Sequence, residues 1–272
     1  MAQRISQEIK ESIIVDYIDN QMSGEAIARK YNIGATSVRR ILKNHNIQTN
    51  LYDQRKYKYN QNYFETIDTE EKAYWLGFIA ADGSITKNNR TLEIGLTYSD
   101  KTHLKKFALA IDYPVENIKN RNTTLNGKVY KSSRICVHSK KICNDLNSLG
   151  ITEKKWDKVV FPSNIPKNLI RHYLRGYFDG DGSISTAGKT MYGVQKYCIS
   201  LIATEEFLLQ MMNHLEKELN MTQVKLEHRY GIAIWAKGGM KQIRCFLNYI
   251  YKDSNIFLDR KHQYYLKLCR SK

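Results

Sequence analysis

The chain has 272 residues, 42% of them apolar, enough to bury one sizeable core or two smaller ones, so disorder is excluded as the default. Lysine and arginine outnumber aspartate and glutamate by 43 to 27, and the formal net charge of +16 favours a polyanionic partner. No apolar run reaches the length of a membrane span, and the start MAQRISQEIK lacks the apolar core of a signal peptide; membranes drop out as that partner and a cytoplasmic nucleic-acid binder is expected.

Residues 5–45 read as three short helices. Ile14, Tyr17 and Ile18 make an apolar stripe at i, i+3, i+4 spacing; Ser23 can cap a second helix carrying Ala26, Ile27 and Tyr31. After the turn Asn32-Ile33-Gly34, a third helix buries Val38, Ile41 and Leu42 and leaves Thr36, Ser37, Arg39, Arg40 and Lys43 outward. Residues 1–46 are therefore expected to form a small all-α domain. Residues 47–66 show neither helical nor strand period and mix Asn, Gln, Tyr and basic residues, as a linker does. Arg55, Lys56 and Lys58 serve there either as solvated charges or as an arm along a phosphate backbone.

The rest contains an internal repeat. EKAYWLGFIAADGSI (71–85) is echoed by IRHYLRGYFDGDGSI (170–184), in register at Tyr74 and Tyr173, Gly77 and Gly176, and Asp82 and Asp181. Strand-like alternation follows each copy, in TLEIGLTY (91–98) and CISLIA (198–203), then a helix from Asp100 and from Glu205. Each half continues with a hairpin, VYKSSRICV (129–137) or LEHRYGIAIWA (226–236), and a helix ending near Leu149 or Tyr251. The expectation is an α+β fold of two αββαββα halves, 67–166 and 167–272.

Each repeated segment reads as a helix ending Asp-Gly, where glycine is expected to take the left-handed conformation that stops a helix. A carboxylate there faces the negative end of the helix dipole, costing about 0.3–1 kcal/mol, so a positive group should stand nearby. Gly77 and Ala81, and Gly176 and Gly180, have the spacing that lets two helix backbones approach closely. Packed about a pseudo-twofold axis, the helices would bring Asp82 and Asp181 together as a like-charged pair that a divalent cation relieves. Oxygen ligands favour Mg²⁺, with Mn²⁺ or Ca²⁺ able to take the same place; Cys136, Cys143, Cys198, Cys245 and Cys269 form no CxxC pair and signal neither zinc nor a disulfide framework. Two carboxylates, a hard cation and a polyanion point to phosphodiester hydrolysis, and two pseudo-equivalent halves suit two strands.

WLGFIAADG (75–83) and LRGYFDGDG (174–182) resemble the two motifs of single-chain LAGLIDADG homing endonucleases, a resemblance covering about residues 67–272. It implies two four-stranded sheets forming a saddle over double-stranded DNA, Asp82 and Asp181 as metal ligands, and Gly77 and Gly176 as close-packing positions. It also implies a lysine near each active centre, polarising water or stabilising phosphate charge. Lys155 in LGITEKKW, with Lys154 able to take its place, and Lys261 in FLDRKHQ fit that position, though either is as readily a solvated charge or a plain phosphate contact. The position that supports bound water in relatives falls at Tyr98 or Ser99 and at Ala203 or Thr204. Ala80 against Asp179 breaks the symmetry of the halves.

On the implied saddle, alternation puts Thr91, Glu93, Thr97, Lys128, Tyr130, Ser132 and Arg134 toward the groove, with Lys225, Glu227 and Arg229 as their second-half counterparts. EAIARKYNIGATSVRRIL (25–42) resembles the helix-turn-helix of site-specific recombinases and small repressors, with Ala35 to Lys43 as recognition helix. The reading is a metal-dependent endodeoxyribonuclease of an intron or phage mobile element, acting as a freestanding monomer on one long site. A non-cleaving transcriptional regulator on the same scaffold is the alternative, and an RNA-splicing maturase a third.

Overall fold

A computed structural model of the chain describes residues 5–20, 22–47, 59–86, 88–153, 158–229 and 231–270. Two compact units divide it, Met1–Lys58 and Tyr59–Lys272. Arg55, Lys56, Lys58, Lys154 and Lys155 lie outside the described residues.

The first unit holds α1 (Gln7–Ile18), α2 (Gly24–Lys30) and α3 (Ala35–Asn44) around a core of Ile13, Tyr17, Ile27, Ala28, Val38, Ile41 and Leu42. Ser6 and Ser23 cap α1 and α2 by accepting hydrogen bonds from Ile9 N and Ala26 N. The stripe expected on α1 is rotated: Ile13, Asp16 and Tyr17 are buried, whereas Ile18 is 38% exposed. The cause is Asp16, whose carboxylate accepts from Lys30 Nζ (2.8 and 2.9 Å), Tyr31 Oη (2.8 Å) and Asn20 Nδ2 (3.0 Å). The Lys30 hydrogen bond comes first among the influences that hold the carboxyl below its ordinary pKa against desolvation. This buried acid thus fastens α1 to the end of α2.

In the second unit α4 (Glu70–Asp82) runs into β1 (Gly83–Ile85), followed by β2 (Thr91–Thr97), α5 (Lys101–Ala110), β3 (Lys119–Leu125), β4 (Lys128–His138) and α6 (Lys140–Ser148). The sequence of elements repeats as α7 (Ile170–Asp181), β5 (Gly182–Lys189), β6 (Gln195–Ala203), α8 (Glu205–Leu219), β7 (Glu227–Arg229), β8 (Ile232–Gly238) and α9 (Met240–Tyr251); α10 (Asp259–Tyr265) is added at the end. The antiparallel sheets have matching orders, β1-β2-β4-β3 and β5-β6-β8-β7, and matching register, Gly83 facing Ile94 and Gly182 facing Leu201.

Period-2 alternation sends Leu92, Ile94, Ile135 and Val137 of the first sheet, and Ile199, Leu201 and Trp235 of the second, into one continuous core with α4 to α9. The chain from Tyr59, read from sequence as the end of a linker, belongs to this core: Tyr63, Phe64 and Ile67 are buried, and Tyr59 Oη donates to His138 O. Aromatics scattered among Asn and Gln give no period, which hides their burial. Among the described residues no helix is long and apolar enough to cross a membrane.

Candidate active site and nucleic-acid face

The helices α4 and α7 pack with their backbones touching. A β-carbon added at Gly77 would stand 2.0 Å from Tyr173 O, and one at Gly176 would stand 1.9 Å from Tyr74 O. Nearer the ends, a β-carbon on Gly180 would meet Ala81 Cβ at 2.4 Å and Asp82 Oδ2 at 3.3 Å, so the half-buried Asp82 lies beside the residue preceding the exposed Asp181. Both acids act on Tyr177, whose hydroxyl pKa is raised first by burial and further by Asp181 and Asp82.

Each acid is followed by a strand, without the left-handed turn expected from its glycine: Gly83 has φ −77°, ψ 158° and Gly182 has φ −78°, ψ 157°. Glycine is required there for room, because β-carbons would fall 2.8 Å from Ile79 O and 2.5 Å from Phe178 O. Among the described residues no three His, Cys, Asp or Glu side chains cluster. A cation between these helix ends would therefore take two carboxylates and complete its shell with other oxygens, a donor set that fits Mg²⁺ better than a softer ion.

The positive group demanded by the α7 terminus is Lys261 on α10. Only 4% exposed, its Nζ donates to the carbonyls of Phe178 (2.6 Å), Asp179 (2.8 Å) and Gly180 (3.2 Å). Burial lowers its pKa to about 8, with Arg260 adding to the depression and Asp179, Asp82 and Asp181 opposing it. The fully buried Asp179 accepts from Tyr251 Oη (2.5 Å), Leu258 N (2.7 Å) and Tyr74 Oη (2.8 Å); desolvation raises its pKa while these donors and Lys261 oppose the rise.

Arg175, also fully buried, donates to the carbonyls of Ile250 and Ile256 (2.8 Å each), to His172 Nδ1 (2.8 Å) and to Glu70 Oε1 (2.7 Å), which accepts from Asn255 N as well. Residues 250–261 are thereby stitched to α7 and, through Glu70, to α4. Arg175 and this network were missed in the sequence because a motif helix is expected to be apolar there. The available signal was the mismatch between copies, Arg175 against Leu76 and Asp179 against Ala80.

On the outward face of the first sheet, Arg134 Nη1 donates to Glu93 Oε1 at 2.8 Å, and Lys128 and Tyr130 are exposed. In the second half Lys225 is exposed and Arg229 Nη2 donates to Glu227 Oε2 at 3.1 Å. On α3, Thr36, Arg39, Arg40 and Lys43 are exposed and Ser37 is half-buried. Of the positions considered for water support, Tyr98 is exposed, the Ser99 hydroxyl lies 2.9 Å from that of Thr97, Ala203 is in the core, and Thr204 caps α8 while donating to Val159 O.

Residues 168–250 match the model of the LAGLIDADG-like domain, residues 71–132 that of the WhiA LAGLIDADG-like domain, and residues 10–46 that of the CENP-B N-terminal DNA-binding domain. Over 132 residues the chain is 33% identical to the replication factor C small subunit of Methanocaldococcus jannaschii, covering 45% of this chain and 7% of that protein. It is 28% identical over 162 residues to the DNA-directed RNA polymerase subunit Rpo1C of the same organism, covering 58% and 18%. The chain thus spans less than a fifth of either relative. Among solved structures, a double lysine-to-alanine mutant of I-SmaMI superposes with a TM-score of 0.50 at 13% identity, over 73% of this chain and 89% of that one, which establishes the fold. Full-length DUF199/WhiA from Thermatoga maritima gives 0.45 at 16% identity, over 76% and 63%.

Proposed function

From two LAGLIDADG-like domains fused in one chain, we propose that this protein is a site-specific, metal-dependent endonuclease that hydrolyses phosphodiester bonds of double-stranded DNA. The observation that carries the reading is the pair Asp82 and Asp181, set at the ends of two helices whose glycines let the backbones touch. Two carboxylates at neighbouring helix ends repel each other, and a divalent cation with a phosphate oxygen would remove that repulsion. A bound Mg²⁺ would supply Lewis acidity and an activated water. The chain's own part is to fix the two carboxylates and to present the duplex.

Lys261 takes a different part from the water-polarising one the family resemblance implies. Its three donors are committed to three carbonyls, so it holds the turn that carries Asp181, and its charge is felt at both acids. Lys155 is the first-half candidate for a phosphate contact. The outward strand residues Lys128, Tyr130, Arg134, Lys225 and Arg229 would contact phosphates and base edges. In the first unit α3 would enter the major groove with Thr36, Ser37, Arg39, Arg40 and Lys43, while Arg55, Lys56 and Lys58 follow the backbone. Tethering this unit to the sheets lengthens the site and raises affinity through effective concentration.

A second reading, a DNA-binding protein that does not cut, is supported by the match of residues 71–132 to the WhiA LAGLIDADG-like model. Incubation with a pooled duplex library in Mg²⁺, beside EDTA and the Asp82→Asn and Asp181→Asn variants, separates the two. Metal-dependent breaks at one long site, abolished by either substitution, are expected of the nuclease. Specific retention of DNA without breaks, unchanged in the variants, would select the non-cleaving protein.

A further inference from the structure

The outward faces of the two sheets differ in chemistry at equivalent positions. Gly95 faces Arg134 in the first sheet, and the same place in the second pairs Ile202 with Ile234. One step along, Ser132 faces Arg121, where the second sheet pairs Ile232 with Arg229. Ile202 is 43% and Ile232 45% exposed, and Ile234 is half-buried, while their strand neighbours Leu201, Ala203, Ala233 and Trp235 point into the core. A cluster of isoleucines on the non-core face of a sheet calls for an occupant that rewards apolar contact.

On the reading that the sheets lie on duplex DNA, that occupant is defined by chemistry. The thymine 5-methyl is the apolar group on the major-groove edge of a base pair, and aliphatic side chains recognise it by contact. The counterpart in the first sheet, Arg134 held by Glu93, offers instead donors for guanine O6 and N7 and an acceptor for cytosine N4. Arg229, beside the isoleucines, is engaged by Glu227. We propose that Ile202, Ile232 and Ile234 are specificity-determining residues that read thymine methyl groups, so that the half-site under the second sheet is rich in A·T pairs and that under the first is not.

The test uses the full chain in EDTA, so that retention of duplex is read apart from any metal-dependent cut. Sequences enriched from a randomised library would be resynthesised with uracil replacing thymine in one half-site at a time. The expected result is about fourfold weaker retention for each methyl removed in one half-site and no change in the other. In the Ile202→Ser/Ile232→Ser/Ile234→Ser variant the uracil penalty should vanish, while in Arg134→Ala it should persist. Equal penalties in both half-sites, or a penalty that survives the isoleucine substitutions, would overturn the proposal and leave sequence-specific binding intact. Failure of the library to enrich any sequence would overturn the DNA-reading premise and this proposal with it.

Discussion

Gly176 stands against the carbonyl oxygen of Tyr74 so closely that a β-carbon would lie 1.9 Å from it, and Gly77 has the reciprocal relation to Tyr173 at 2.0 Å. Neither obstacle is a side chain that can rotate away. Gly77→Ala and Gly176→Ala are therefore expected to force α4 and α7 apart, costing about 3 kcal/mol or more in urea denaturation. On the nuclease reading, a variant that still folds should lose DNA cleavage, because the displacement separates Asp82 from Asp181. Cleavage at the ordinary rate in either variant would show that the acids need not be held by this crossing.

Arg175 and Glu70 join the two motif helices through a fully buried guanidinium. Arg175→Met should cost about 3–5 kcal/mol, because it strips Glu70 and two main-chain carbonyls of their donor. In a double-mutant cycle with Glu70→Gln, the pair should show a favourable coupling energy of about 1 kcal/mol or more. Additive losses would mean that Arg175 serves the carbonyls of Ile250 and Ile256 alone.

Lys261 caps only the second motif helix, and the position matching its partner Asp179 is Ala80 in the first. On the nuclease reading, Lys261→Met is expected to slow one strand's scission more than the other's, so nicked circles should accumulate from a supercoiled plasmid bearing the target site. Loss of both cuts in parallel would place Lys261 at a centre shared by the two strands.

His103 is buried against Tyr74, Trp75 and Phe78, with Nε2 2.8 Å from the Tyr74 hydroxyl. Desolvation lowers its pKa to about 3, aided by Lys106 and Arg260. The folded protein thus refuses a proton that the unfolded chain accepts near its ordinary value of 6.5. Stability from this site is whole above that value and is lost as pH falls toward 3, at up to about 1.4 kcal/mol per pH unit. Urea midpoints measured from pH 7 to pH 4 should fall less steeply for His103→Phe than for the wild type. Parallel slopes would assign the acid sensitivity to other groups, His172 among them.

The fold was legible where period and repetition speak. Alternation in TLEIGLTY sends Leu92 and Ile94 inward as expected, and the two motif copies place Gly77 against Tyr173 and Gly176 against Tyr74. Long-range polar packing was not legible. Asp16 rotates α1 because Lys30 and Tyr31 return to it, and Asp179 is buried because residues 251–258 return over α7 with two donors that join Tyr74 of α4. Neither return is written into a local window of sequence. Lys261 was found by alignment, but its engagement with three carbonyls depends on where α10 lands.

The strands β1 and β5 begin at the residue after Asp82 and Asp181, with no intervening loop. On the proposed nuclease reading, the reading surface and the point of attack are then one rigid piece in each half, and the distance from any recognised base to the scissile bond becomes a fixed ruler. On that reading, mutations on the strand faces would retarget one half-site without moving the cut. Since each half has its own copy of the ruler within a single polypeptide, the two can diverge independently, a freedom denied to a homodimer, whose every substitution must be made twice.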